Sequence, residues 1–177
     1  YFADAGMYVG AFNDQIRNAV RGDNAPGKGW VNGSIGSYGA IYAGAQGLFS
    51  TVNKEAENVE PQQVLNYVSC HDNYTLYDRI RASGTTNEVL VKRMAMLANS
   101  CVFTSQGISF MLAGEEMLRT KGGNSNSYEA SYAVNAIDYT LKVKHLDMFN
   151  NYKALIALKQ NANVFGKDAQ QIASDVT

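Results

Sequence analysis

The stretch VLNYVSC, residues 64–70, carries apolar side chains at both odd and even positions and runs directly into His71, Asp72 and Asn73. A strand with one wet face alternates apolar and polar residues. One covered on both faces does not, and such strands belong to parallel sheets packed between helices. ISFMLAG (108–114) has the same character, and GMYVGAFND (6–14) is a third apolar run, ending in Asn13 and Asp14. The segments between them read as helices. In DQIRNAVRG, Ile16, Ala19 and Val20 share a face, Asp14 is placed to cap the start and Gly22 to end it. NEVLVKRMAMLANSCVF sets Leu90, Met94, Leu97 and Cys101 at spacings of four, three and four, the pattern of an amphipathic helix. A short helix weakened by two glycines is expected over 40–50, and a last one over roughly 146–160 with Met148, Tyr152, Leu155 and Ile156 on one face.

Strand and helix thus alternate three times, which predicts an α/β fold with a parallel sheet and helical crossovers. In that class, chemistry collects beyond the C-terminal ends of strands, at a switch point in an open sheet or on the upper rim of a barrel. His71, Asp72 and Asn73 lie at such an end. Two long polar segments, 23–39 and 119–139, have the composition of surface loops, and loops of that length inside a compact domain are often functional. Three strands are few for a self-sufficient sheet of this kind.

Charge gives no pull toward nucleic acid or an anionic membrane, since 15 basic and 16 acidic residues nearly cancel and no polybasic run occurs. No apolar stretch approaches the roughly 20 residues that span a bilayer. The first ten residues lack the basic-then-apolar layout of a signal peptide, which leaves a cytoplasmic or a secreted setting open. Cys70 and Cys101 sit in apolar contexts and read as reduced thiols, because 177 residues can build a core without a covalent staple.

The polar cluster admits several chemistries. A metal could draw on Cys70, His71 and Asp72 with Cys101 or His145, and a nucleophilic pair could use Cys70 and His71. Both are opposed by the alternation of adjacent strand side chains, which would turn Cys70 away from its neighbours. An acid and an imidazole at a strand end can instead hydrogen-bond a polyhydroxylated ligand, with Tyr74 and Tyr77 close by to stack on it. A purely structural alternative has Asp72 capping the next turn and His71 satisfied by backbone carbonyls.

YVSCHDNYTLYDR (67–79) resembles the fourth signature region of the α-amylase family of glycoside hydrolases, family 13, in the version typical of type I pullulanases. FNDQIRNAVRG (12–22) is similar to the sixth barrel strand and following helix of those enzymes, and residues 105–139 to the eighth strand and its substrate-side loop. The resemblance implies the C-terminal part of a (β/α)8 TIM barrel, about strands six to eight with their helices. It implies residues 1–162 as partial catalytic barrel and 163–177 as the start of a linker to a following domain.

By the same resemblance, Asp72 corresponds to the carboxylate that stabilises the transition state at the sugar before the cleaved bond, and His71 to an imidazole bonding that sugar's hydroxyls. Asn73 corresponds to a neighbour of the site, and Tyr128 and Asn135 to the loop shaping the cleft, while Tyr74 is kept as a substrate contact on its stacking position alone. Glu129 and Tyr132 depart from the family's loop pattern, standing where an Asn and an Asp are usual. The implied activity is retaining hydrolysis of α-1,6-glucosidic linkages in pullulan, glycogen or branched maltodextrin, with no cofactor and no metal. A related isoamylase-like or α-1,4-acting enzyme and a non-catalytic α-glucan-binding segment are the alternatives. Retention needs a nucleophile and a general acid about 5–5.5 Å apart, and no stretch resembles either family motif. The chain alone is therefore expected to be inactive, with the earlier part of the same barrel, or self-association through an open sheet edge, as its partner.

Overall fold

The computed structural model describes residues 9–25, 27–48 and 60–175. Residues 6–8 of the first expected strand and residues 49–50 of the expected helix at 40–50 lie outside the described residues. Within them the chain forms a three-stranded parallel sheet in the order β1 (Ala11–Phe12), β2 (Val64–Asn66), β3 (Ile108–Ser109). Ala11 pairs with Val64 and Phe12 with Leu65, while Leu65 pairs with Ile108 and Asn66 with Ser109. The α/β class and the parallel sheet are what the chain adopts, but the expected burial on both faces holds only for β2: Phe12 of β1 is 47% and Ile108 of β3 46% exposed, as the outer strands of an open three-stranded sheet.

The strands are shorter than their apolar runs. Tyr67 and Val68 are buried as strand residues would be, yet pairing ends at Asn66. Two buried amides mark that point. Asn13 Nδ2 donates to Asn66 Oδ1 at 3.0 Å, and Asn66 Nδ2 donates to the carbonyls of Gly44 and Gln106 at 2.9 and 3.0 Å. Side-chain amides thus take over the work of a ladder, satisfying buried backbone where the strands splay. Past Asn66 the chain is free to leave the sheet plane, and this is where the polar cluster begins.

Helix α1 (Asp14–Arg21) follows β1 and α2 (Tyr38–Ala45) packs on it. The cap of α1 is Asn13, whose Oδ1 accepts from Ile16 N at 3.2 Å, rather than Asp14. Asp14 is the first helical residue and binds sideways, accepting from Arg17 at 3.0 Å and from the Tyr67 hydroxyl at 2.6 Å. Gly22 closes the helix at φ 86°, a backbone region that disfavours residues with a Cβ.

Helix α3 (Leu76–Ala82), not foreseen in the apolar patterning, follows the cluster, and α4 (Glu88–Phe103) crosses back to β3. The expected face of α4 holds in part: Met94 and Cys101 are partly buried against the core, but the fully buried stripe lies one residue further on. Val91, Ala95, Ala98 and Val102 are buried, whereas Leu90 and Leu97 are 45% and 42% exposed. The small alanines allow close helix approach, so the inward stripe is the one with less side-chain volume. Short helices α5 (Tyr132–Asn135) and α6 (Leu141–Lys144) precede α7 (Leu146–Asn161), where Met148 and Tyr152 are buried and Leu155 and Ile156 pack against the core as expected. Helix α8 (Ala169–Asp175) buries Ile172. No helix among the described residues is long and apolar enough to cross a membrane.

Candidate functional site

Beyond β2 the chain descends through Ser69 and Cys70 into an irregular turn. Asn73 takes φ 61°, the left-handed region that Asn enters more readily than most residues, and this reverses the backbone ahead of α3. His71 and Asp72 are carried outward on that reversal, their side chains 83% and 68% exposed, with His71 Nε2 3.4 Å from Asp72 Oδ1. They form one wall of a cavity of about 220 Å³ whose other wall is the loop after β3, through Leu112, Arg119, Lys121, Ser127, Tyr128 and Asn135.

Ser69 Oγ donates to the fully buried carboxyl of Glu115, which also accepts from the Tyr152 hydroxyl at 2.7 Å. The end of β2, the loop after β3 and α7 meet in this one group. Burial pushes the Glu115 carboxyl above its ordinary range, with the hydroxyls of Ser69 and Tyr152 pulling the other way. From the side, Lys121 Nζ donates to the His71 carbonyl at 2.9 Å and to Ser127 Oγ at 2.7 Å. Its burial, with Arg119 beside it, draws the ammonium below the usual lysine range, while Asp72 opposes the shift.

Asp78 supplies the third support. Its carboxylate accepts from Thr75 Oγ1 at 3.0 Å, Thr120 Oγ1 at 2.5 Å and Lys121 N at 2.7 Å. Thr75 in turn caps α3 by accepting from Asp78 N at 3.1 Å. The Thr75-Leu-Tyr-Asp78 spacing is that of a capping box, a signal in the sequence that marks both α3 and the residue gripping the far loop.

His71, Asp72, Asn73, Tyr128 and Asn135 therefore line one cavity. Tyr74 does not. It faces a separate cavity of about 310 Å³ with Tyr77, Asp78, Arg81 and Thr120. Tyr77 is committed elsewhere as well, donating to Glu88 at 2.9 Å. Asn135 spends its amide N–H on its own loop, Nδ2 donating to Ser127 O at 2.7 Å, so it shapes the wall. Arg119 donates to Ala113 O at 3.0 Å and to Asn135 O, fixing the opposite lip. Arg119, Lys121 and Ser127 were not singled out in the sequence, where the RTKGG run reads as an ordinary solvated loop.

The turn also corrects the expectation for Cys70. Residues 70–73 are not a strand, so neighbouring side chains need not point to opposite faces. Cys70 Sγ lies 3.7 Å from the Asp72 carbonyl, and the donor atoms of Cys70, His71 and Asp72 all fall within 4.8 Å of one another. Both cysteines are free thiols and half-buried.

Chemically, the cavity offers one carboxylate, one imidazole, two cations, the amides of Asn73, Asn126 and Asn135, and hydroxyls around a water-accessible hollow. Such a set hydrogen-bonds vicinal hydroxyls from several sides. Asp72 is the only carboxylate on its rim among the described residues.

No protein-family model matches the chain. It is 30% identical over 155 residues to the pullulanase of Bacillus subtilis strain 168, covering 86% of this chain and 22% of that protein. Over 111 residues it is 34% identical to the pullulanase of Klebsiella pneumoniae, covering 57% of this chain and 10% of that protein. Its backbone superposes on the crystal structure of Paenibacillus barengoltzii pullulanase in complex with maltohexaose and α-cyclodextrin, with a TM-score of 0.86 and 38% identity, covering 93% of this chain and 26% of that one. Pullulanase from Bacillus acidopullulyticus gives a TM-score of 0.85 and 38% identity, covering 93% and 20%. The chain spans between a tenth and about a quarter of the length of these relatives. Over most of its residues, then, the chain stands in a pullulanase-type relationship to the glycoside hydrolases of family 13.

Proposed function

We propose that this chain forms the sugar-holding wall of a debranching glycosidase that cleaves α-1,6-glucosidic linkages in branched α-glucans with retention. In this reading β1, β2 and β3 with their helices are about strands six to eight of a (β/α)8 barrel, and 163–177 lead toward a following domain. Asp72 stabilises the oxocarbenium-like state of the sugar before the scissile bond. His71 bonds that sugar's hydroxyls, and Asn73, Tyr128 and Asn135 shape the cleft. Tyr74, facing the adjoining cavity, acts on a neighbouring part of the glucan. The nucleophile and the general acid come from outside these 177 residues.

The observation that carries the reading is the solitary carboxylate. A retaining site needs two carboxyl groups about 5–5.5 Å apart, whereas the described cavity presents Asp72 alone. Glu115 is buried and held by Ser69 and Tyr152, and Glu116 accepts from Gly114 N at 3.0 Å. One exposed acid can orient a sugar and offset developing positive charge, but it cannot both attack and protonate. Maltohexaose and α-cyclodextrin are named as ligands of the Paenibacillus barengoltzii enzyme, which supports an α-glucan as the ligand here.

The test uses two readouts on the same polypeptide. Maltotriose titrated by calorimetry or NMR should bind, with Asp72→Asn and His71→Ala each weakening it about tenfold, the worth of one charge-assisted hydrogen bond. Reducing ends released from pullulan should stay at background. Turnover comparable to an intact pullulanase would refute the assignment of the nucleophile and acid to other residues, and maltotriose affinity indifferent to both variants would refute the sugar site.

A further inference from the structure

We propose that Cys70, His71 and Asp72 form a binding site for a thiophilic divalent cation, zinc or cadmium, at the mouth of the same cavity. Three donor types converge there: a thiol sulfur, an imidazole nitrogen and a carboxylate oxygen, all within 4.8 Å of one another. Around a tetrahedral zinc, bonds of about 2.0–2.3 Å set neighbouring donors roughly 3.3–3.8 Å apart. The remaining gap of about 1 Å is within reach of side-chain rotation, since His71 and Asp72 are largely solvent-exposed.

The backbone makes this convergence possible. The sheet ladder has ended at Asn66, and the backbone bends at His71 and Asp72 instead of continuing as a strand, with Cys70 Sγ 3.7 Å from the Asp72 carbonyl. A regular strand would have sent these side chains to opposite faces. Three protein donors with the fourth position open to water is the arrangement of accessible zinc sites, and a thiolate with an imidazole selects zinc or cadmium over calcium or magnesium.

Lys121 and Arg119 also face this cavity and oppose a cation. Lys121 donates to His71 O and Ser127 Oγ and Arg119 to Ala113 O and Asn135 O, and a thiolate with a carboxylate supplies two negative charges against them. Resting on the sugar-site reading, the overlap has a consequence: His71 and Asp72 cannot ligate an ion and bond a sugar at once, so zinc excludes the glucan.

Cadmium titrated into the reduced, metal-free chain should give a thiolate-to-metal charge-transfer band saturating at one ion per chain. Cys70→Ser should abolish the band, His71→Ala and Asp72→Asn should each weaken binding at least tenfold, and Cys101→Ser should change nothing. Far-UV circular dichroism confirms that each variant is folded. Unchanged affinity in both His71→Ala and Asp72→Asn, the mark of an adventitious thiol only, would overturn the site, as would loss of the band in Cys101→Ser. The overlap is read separately, from displacement of zinc by maltotriose. If zinc binds with the expected variant pattern but maltotriose does not bind, the glucan reading fails and the metal site stands. If maltotriose binds and neither ion does, the reverse holds.

Discussion

Lys121 Nζ lies 2.9 Å from the carbonyl oxygen of His71, joining the loop after β3 to the turn after β2 through a residue only 6% exposed. The same ammonium reaches Ser127 Oγ at 2.7 Å, so a single cation sets the width of the cavity between His71 and the lip that carries Tyr128. Lys121→Met keeps the aliphatic stem and removes both bonds. Hydrogen bonds from a charged donor contribute about 1.5–3 kcal/mol. Maltotriose affinity should fall about tenfold or more, with a smaller loss in urea midpoint. Unaltered affinity in a folded Lys121→Met chain would show that the cavity width does not matter to the sugar.

Asp78 grips the same loop from the opposite side. Thr75, Thr120 and the Lys121 amide all donate to a carboxylate that is 4% exposed. Asp78→Ala leaves the Thr75 hydroxyl and the Lys121 amide facing a void, each unsatisfied buried group costing about 1–3 kcal/mol, while the exposed Thr120 can turn to water. Urea denaturation should report a loss of roughly 2–5 kcal/mol, near the top of the range for single substitutions. Thr75→Ala removes the α3 cap and one of the three donors, and should cost about half as much.

These supports explain what could and could not be read from the amino acids. The parallel α/β order was legible because VLNYVSC lacks alternation and its strand is largely buried; ISFMLAG lacks alternation too, but Ile108 of β3 is 46% exposed, so there the apolar run overstated burial. The clustering of His71, Asp72 and Asn73 beyond β2 was legible as a strand end. The length of β2 was not, because burial and ladder pairing part company after Asn66, and composition records only burial. The α4 face was misread because Ala95 and Ala98 are inconspicuous in a hydrophobic pattern that Leu90 and Leu97 dominate. Long-range polar contacts left almost no local trace: Arg79, fully buried, donates to the carbonyls of Asp23, Ala25 and Gly27, more than fifty residues upstream. Only the Thr75–Asp78 capping pair carried a signal that spacing alone could find.

Gly44 sets how closely α2 approaches α1. A Cβ placed there would lie 2.6 Å from Ile16 Cδ1 and 2.8 Å from Ile16 Cβ, and Ile16 is fully buried with no room to retreat. Overpacking of this kind costs about 1–3 kcal/mol. Gly44→Ala should therefore lower thermal stability despite alanine's better helix propensity. The Gly44 carbonyl also accepts from Asn66, so a shift of α2 would loosen the end of β2. Pairing Gly44→Ala with Ile16→Val should recover part of the loss; a gain in stability from Gly44→Ala alone would contradict the close contact.

Glu115 ties stability to pH. Its carboxyl is buried between Ser69 and Tyr152, and burial raises its pKa in the folded chain above the unfolded value. Between those two values the unfolded chain has released the proton and the folded chain has kept it, so the folded state binds more protons and its stability falls as pH rises through that window. The contribution is fully present below the unfolded pKa, near 4.3 for Glu. Glu115→Gln is isosteric and cannot ionise, so the decline that begins above about pH 4.3 should flatten in the variant. Glu115→Ala instead strands the hydroxyls of Ser69 and Tyr152 and should destabilise at every pH. Urea midpoints measured across mildly acidic to neutral pH decide the matter. Parallel curves for the original chain and Glu115→Gln would mean that this carboxyl does not hold its proton in the folded state, and that Ser69, directly before the Cys70-His71-Asp72 turn, is anchored to a buried anion.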